Sequence, residues 1–115
     1  MSTGDRPIIG LEETITCYGV EKKKKLKVRV DTGASKSSID VALAQKLGVG
    51  PVIKERTIRN AHGSEVRKVI KLEIELAGKQ LSGMFTLADR KIMKYPILIG
   101  RNILKKGNFL IDPKK

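Results

Sequence analysis

At 115 residues with 40% hydrophobic side chains, the chain has material for one domain with one core and not for two. Aromatics make up only 3% and Trp is absent, so the core must come from Ile, Val and Leu, which favours strands. The formal charge is +12, but four scattered aromatics (Tyr18, Phe85, Tyr95 and Phe109) argue against a stacking platform for single-stranded nucleic acid.

Residues 1–7 read as a flexible lead-in and residues 8–113 as the domain. The lead-in has no apolar signal-peptide core. No stretch approaches the ~18 apolar residues of a membrane span, so the expectation is a cytoplasmic protein with no membrane contact. From Ile8 to Tyr18 the pattern predicts a strand, with Leu11, Ile15 and Cys17 on one face and Glu12, Thr14 and Thr16 on the other. Cys17 is alone, which excludes an intrachain disulfide and predicts a buried, inert thiol. Gly19–Lys24 is a charged turn. Lys25–Val30 returns as a strand with Leu26, Val28 and Val30 inward, and Glu12 and Glu13 are expected across from its cations. The lysines at 22–25 read as a solvated hairpin tip that also keeps the edge from pairing.

After a turn at Asp31, Asp40 is placed to cap a short helix over Val41–Leu47, and Gly48 to end it. Strand character resumes from Val52 to Arg59. Asn60–Ser64 is a polar, Gly-bearing turn, and Ile70, Leu72, Ile74 and Leu76 then alternate strictly, which predicts a hairpin. Ala77–Lys79 turns the chain into Leu81–Leu87. A basic connection leads to Tyr95-Pro96, a short buried strand at Ile97–Ile99, a brief helix over Arg101–Lys105 and a last strand at Asn108–Ile111. The sum is an all-β domain of about seven strands with one or two short helices.

The chemistry-bearing stretch is Asp31-Thr32-Gly33-Ala34-Ser35, a carboxylate delivered by a strand into a Gly turn. Two carboxylates a few ångströms apart cannot both ionise, so they share one proton and act as base and acid together. The chain has one such turn. A pair therefore requires a second copy across a two-fold axis. Thr32 offers a hydroxyl for a contact between loops, Gly33 admits substrate backbone, Ala34 keeps the floor small and Ser35 offers a hydrogen bond to an extended peptide. The late segment Ile99-Gly100-Arg101 is apolar and small enough to lie beneath the turn.

Asp31-Thr32-Gly33-Ala34 and Ile99-Gly100-Arg101-Asn102-Ile103-Leu104 resemble the two motifs of retropepsin-like (retroviral-type) aspartic proteases. A nearer resemblance is to the prokaryotic retropepsin-like proteins labelled ATP-dependent zinc proteases, which often accompany ATP-grasp ligases that add glutamate. It rests on Lys94-Tyr95-Pro96-Ile97-Leu98-Ile99-Gly100-Arg101 and Phe109-Leu110-Ile111-Asp112-Pro113. The resemblance implies a retropepsin-like half-barrel completed as a homodimer. It also implies Asp31 as the catalytic residue, loop support from Ile99, Gly100 and Arg101, and a flap whose tip is Ala61, His62 and Gly63. Retroviral enzymes place an acid just after the turn to pair with the arginine matching Arg101. Here Ser35 and Lys36 stand there, so Arg101 needs another partner.

The implied activity is an aspartic endopeptidase that hydrolyses peptide or glutamate-linked amide bonds. Its substrate would be a peptide or protein, and the basic charge points to an acidic one. One His and one Cys give no zinc-ligand pattern, and no phosphate-cradling loop is present, so neither metal nor other cofactor is expected. Two alternatives remain open: a non-catalytic peptide-binding module on the same fold, and a basic nucleic-acid-binding protein that uses the lysine hairpin.

Overall fold

Where apolar residues alternate along the chain, strands form, and where polar clusters interrupt them, the chain turns. A computed structural model describes residues 6–115, the side chain of Asn60 excepted. The strands are β1 (Ile8–Ile9), β2 (Glu12–Tyr18), β3 (Lys23–Val30), β4 (Ser37–Asp40), β5 (Val52–Asn60), β6 (Gly63–Leu76), β7 (Lys79–Ala88), β8 (Ile97–Ile99) and β9 (Leu110–Ile111). Two short helices, α1 (Val41–Leu47) and α2 (Arg101–Lys106), complete the described residues.

Seven strands form one sheet in the order β2-β3-β8-β4-β7-β6-β5, and β2 also pairs with β6. That pairing closes a six-strand barrel and leaves β5 outside it, held only along β6. Closure removes two free edges from a small sheet. Inside lie Ile15, Val28, Ile39, Ile70, Leu72, Ile74, Phe85, Ile97 and Ile99, all essentially without solvent exposure. At ~1.5–3 kcal/mol for each large side chain fully buried, these staves dominate the stabilising side of folding. The fold is all-β with two short helices, as the alternation predicts.

The predicted strand from Ile8 to Tyr18 is broken in two. β1 leaves the barrel and pairs in parallel with β9, Ile8 opposite Leu110 and Ile9 opposite Ile111. Gly10 makes the break: a Cβ there would lie 2.9 Å from the carbonyl oxygen of Lys115. Leu11 is consequently exposed instead of facing the core. Of the two glutamates expected across from the cations of β3, Glu12 is so placed and Glu13 faces Val28 instead. Glu12 stands opposite Arg29 in register but pairs with Lys94 at 3.7 Å, and Glu13 pairs with Lys115 at 3.7 Å. Of the lead-in, residues 1–5 lie outside the described residues, while Pro7 accepts a hydrogen bond from Leu110 N–H at 3.0 Å.

Asp40 caps α1 by accepting from Leu43 N–H at 3.3 Å, and Gly48 ends the helix in the left-handed region at φ 67°. The other oxygen of Asp40 accepts from Arg90 N–H at 2.7 Å, which ties the helix start to the connection before β8. The four residues that end on that cap, β4, form a strand not anticipated from the sequence. It runs parallel to β7 and antiparallel to β8.

Candidate functional site

β3 ends at Val30, and the neighbouring β8 holds the residue that follows. Asp31 N–H donates to the carbonyl oxygen of Ile99 at 2.9 Å, and Ala34 N–H donates to the carbonyl of Asp31 at 3.2 Å, closing a tight turn. Gly33 N–H donates to Asp31 Oδ1 at 2.9 Å, so the turn's own backbone orients the carboxylate. A Cβ on Gly33 would stand 3.2 Å from that oxygen and crowd it. Asp31 and Ala34 are half-buried; Thr32, Gly33 and Ser35 are exposed.

The segment Ile99-Gly100-Arg101 lies directly against this turn. Arg101 N–H donates to Ala34 O at 2.8 Å, and Arg101 Nη1 donates to Thr32 O at 2.9 Å. The arginine that lacks an acidic neighbour thus binds backbone carbonyl instead. Gly100 is the point of closest approach: a Cβ would meet Lys36 O at 2.2 Å and Ala34 O at 2.9 Å. Its φ of −100° is open to any residue, so contact and not conformation demands glycine here.

Sequence reasoning missed the group that anchors this crossing. Ser37 is fully buried. Its Oγ accepts from Gly100 N–H at 2.9 Å and donates to Asn102 Oδ1 at 2.7 Å. Asn102 Nδ2 in turn donates to Met84 O at 2.9 Å. Nothing local separates a buried serine from the exposed Ser35. Only the topology, which sandwiches β4 between β7 and β8, reveals it.

The β5–β6 hairpin carries the predicted tip. Asn60 is opposite Gly63, leaving Ala61 and His62 as the loop, and Ala61, His62 and Gly63 are all exposed. β6 is exposed along its outer part, buried at Val69 and alternately buried from Ile70 onward, so the hairpin projects from the barrel wall. Beneath the projection is a cleft of about 350 Å³. Its floor includes Val69 and Met84, its walls carry Lys36, Lys54, Arg56 and Lys106, and no carboxylate lines it. Asp31 is not part of this lining; the cleft meets the turn through Lys36 and Ser37. Lys54 and Arg56 share β5, but Lys36 comes from the loop before β4 and Lys106 from α2, so the group as a whole cannot be assembled from the sequence.

No three His, Cys, Asp or Glu side chains gather to hold a metal ion among the described residues. The one histidine and the one cysteine are far apart in environment, with His62 exposed at the hairpin tip and Cys17 sealed in the core. The donor set therefore does not fit a zinc centre. Among the described residues no helix is long and apolar enough to cross a membrane.

A family model described as "RimB-like: Retropepsin-like aspartic endopeptidase RimB" matches residues 43–115, a span that holds the Ile97–Arg101 crossing and begins after the Asp31 turn. A "Probable alpha-L-glutamate ligase" of Parasynechococcus marenigrum (strain WH8102) is 29% identical over 93% of this chain, which spans 28% of that relative's length. In fold, the chain is similar to a crystal structure of a Legionella pneumophila protein of unknown function, with a TM-score of 0.68 at 22% identity and 95% coverage of both chains. It is also similar to the simian foamy virus protease, with a TM-score of 0.63 at 19% identity over 82% of this chain and 91% of that one.

Proposed function

The chain belongs to the RimB-like family of retropepsin-like aspartic endopeptidases, and from that membership we propose that it is an endopeptidase whose active site forms when two copies place their Asp31 carboxylates side by side. The observation that carries this reading is the clamp on the turn. Ile99, Gly100 and Arg101 hold residues 31–34 from below while the Asp31 carboxylate stays half-exposed, oriented by Gly33 N–H. A general acid or base needs that combination of fixed position and access. Two such carboxylates share one proton and titrate as a unit. One removes a proton from water while the other protonates the departing amine. In this reading Thr32 bonds across the dimer, Gly33, Ala34 and Ser35 meet substrate backbone, and Ala61, His62 and Gly63 close as a flap that excludes water.

The substrate is an extended acidic peptide. Lys36, Lys54, Arg56 and Lys106 around an apolar floor favour carboxylate side chains, and no acid in the lining opposes them. The relative named for glutamate ligation supports the same chemistry, since a peptidase for glutamate-rich chains reverses what such a ligase joins. The test compares cleavage of a Glu-rich peptide with its Gln analogue at rising salt, for wild type and Asp31→Asn. Wild type is expected to prefer the Glu peptide, with a preference that shrinks as salt screens it. Asp31→Asn should keep binding and lose turnover by about a thousandfold or more. Binding without cleavage by wild type anywhere between about pH 3 and pH 8 would instead make the protein a peptide-binding module.

A further inference from the structure

The barrel has one incomplete lane. β8 pairs with β3 only at Arg29 and Val30, so residues 23–28 of β3 have β2 on one side and no strand on the other. The ladder shows which residues face that gap. Val30 N–H donates to Leu11 O, which places the main-chain groups of Val30, Val28, Leu26 and Lys24 toward β2. Arg29 and Asp31 then face β8, as the Asp31 to Ile99 bond requires, and Lys23, Lys25 and Lys27 aim their N–H and C=O groups into the gap. Among the described residues nothing pairs with them there. The side chains of Lys23, Lys25 and Lys27 are exposed on one face of the strand, and Lys22 and Lys24 flank them.

We propose that this edge is a strand-addition site for an extended acidic segment of a partner protein, which fills the lane that β8 leaves open. Two features select that occupant. Unpaired main-chain donors and acceptors at alternate residues are satisfied by another strand. Opposite charges directly across a ladder attract, whereas like charges repel, so the lysines admit an acidic strand and reject a second copy of the same edge. The gap from Lys23 to Lys27 is about 13 Å long at ~3.3 Å per residue step, which fits about five partner residues with carboxylates at alternate positions. The site is separate from the cleft and does not depend on peptidase activity.

The test uses the Asp31→Asn protein, so that no probe is consumed, and a capped peptide of alternating Glu and Thr about eight residues long. Lys25→Thr removes one charge and keeps the N–H. Lys25→Pro removes the charge and the outward N–H but spares the β2 ladder, because that N–H faces away from it. The expected result is a loss of affinity of about threefold for Lys25→Thr and more than tenfold for Lys25→Pro. Amide protection should rise at residues 23, 25 and 27, and it should persist when Lys54 and Arg56 in the cleft are changed to Gln. Equal losses for the two Lys25 variants, or protection confined to residues lining the cleft, would overturn the proposal. So would a single-stranded RNA that shows the same extra loss for Lys25→Pro, since phosphates need the charge alone and that loss would then report damage to the strand and not a missing ladder bond.

Discussion

Arg101 donates from its guanidinium to the carbonyl oxygen of Thr32 at 2.9 Å, one residue past the carboxylate that the turn presents. The side chain is exposed, so its removal should disturb position more than stability. Arg101→Met is expected to unfold within ~1 kcal/mol of wild type and to lose about tenfold in kcat/KM. Calorimetry and peptide kinetics on one preparation check both. Unchanged turnover would show that the turn holds its geometry without this bond.

Gly100→Ala should be far more damaging than its size suggests. The added carbon would stand 2.2 Å from Lys36 O, and backbone cannot rotate away as a side chain can. We expect about 2–3 kcal/mol of destabilisation with loss of activity. Ser37→Ala attacks the same crossing from the other side and strands Gly100 N–H, at a cost of ~1–3 kcal/mol. Because the two share one contact, urea midpoints of the double variant should fall short of the sum.

Asp40 serves two donors from one buried carboxylate, Leu43 N–H at the head of α1 and Arg90 N–H before β8. Asp40→Ala is expected to cost about 2–3 kcal/mol, the loss of a cap plus an unpaired amide. Asp40→Asn keeps one acceptor oxygen and should lose less than half of that. Thermal unfolding distinguishes them, since 1 kcal/mol moves Tm by ~4 °C in a domain of this size.

Burial raises the Cys17 thiol to about 11 from an ordinary value of 9.0. The folded protein then keeps a proton that the unfolded chain has already released. The resulting stabilisation is complete below pH 9.0 and is lost as pH rises toward about 11. Each unit of separation corresponds to ~1.4 kcal/mol, so wild type should lose up to about 3 kcal/mol more than Cys17→Val across that window. Thiol reagents at neutral pH should label Cys17 only after unfolding.

Much of this architecture is readable from alternation and turn chemistry. Ile70 to Leu76 announce a stave of the barrel, Asp40 and Gly48 bracket α1, and Asp31 to Ala34 stand out as a turn at the end of a strand. Contacts between distant segments are not readable in that way. The break at Gly10 depends on where Lys115 arrives, and the buried role of Ser37 depends on Asn102 and Gly100. The basic cleft is hidden for the same reason, because Lys36 and Lys106 reach the Lys54 and Arg56 of β5 only once the barrel closes. Local pattern fixes which residues face inward; long-range register decides which of them meet.

β6 is one unbroken strand that is part barrel stave and part projecting arm, and between Ser64 and Leu76 it contains neither glycine nor proline. With no hinge residue, deflection at the tip has to be spread along the ladder in the manner of a leaf spring. Whatever presses the arm down onto the cleft therefore also flexes the wall that carries Val69 and Ile70.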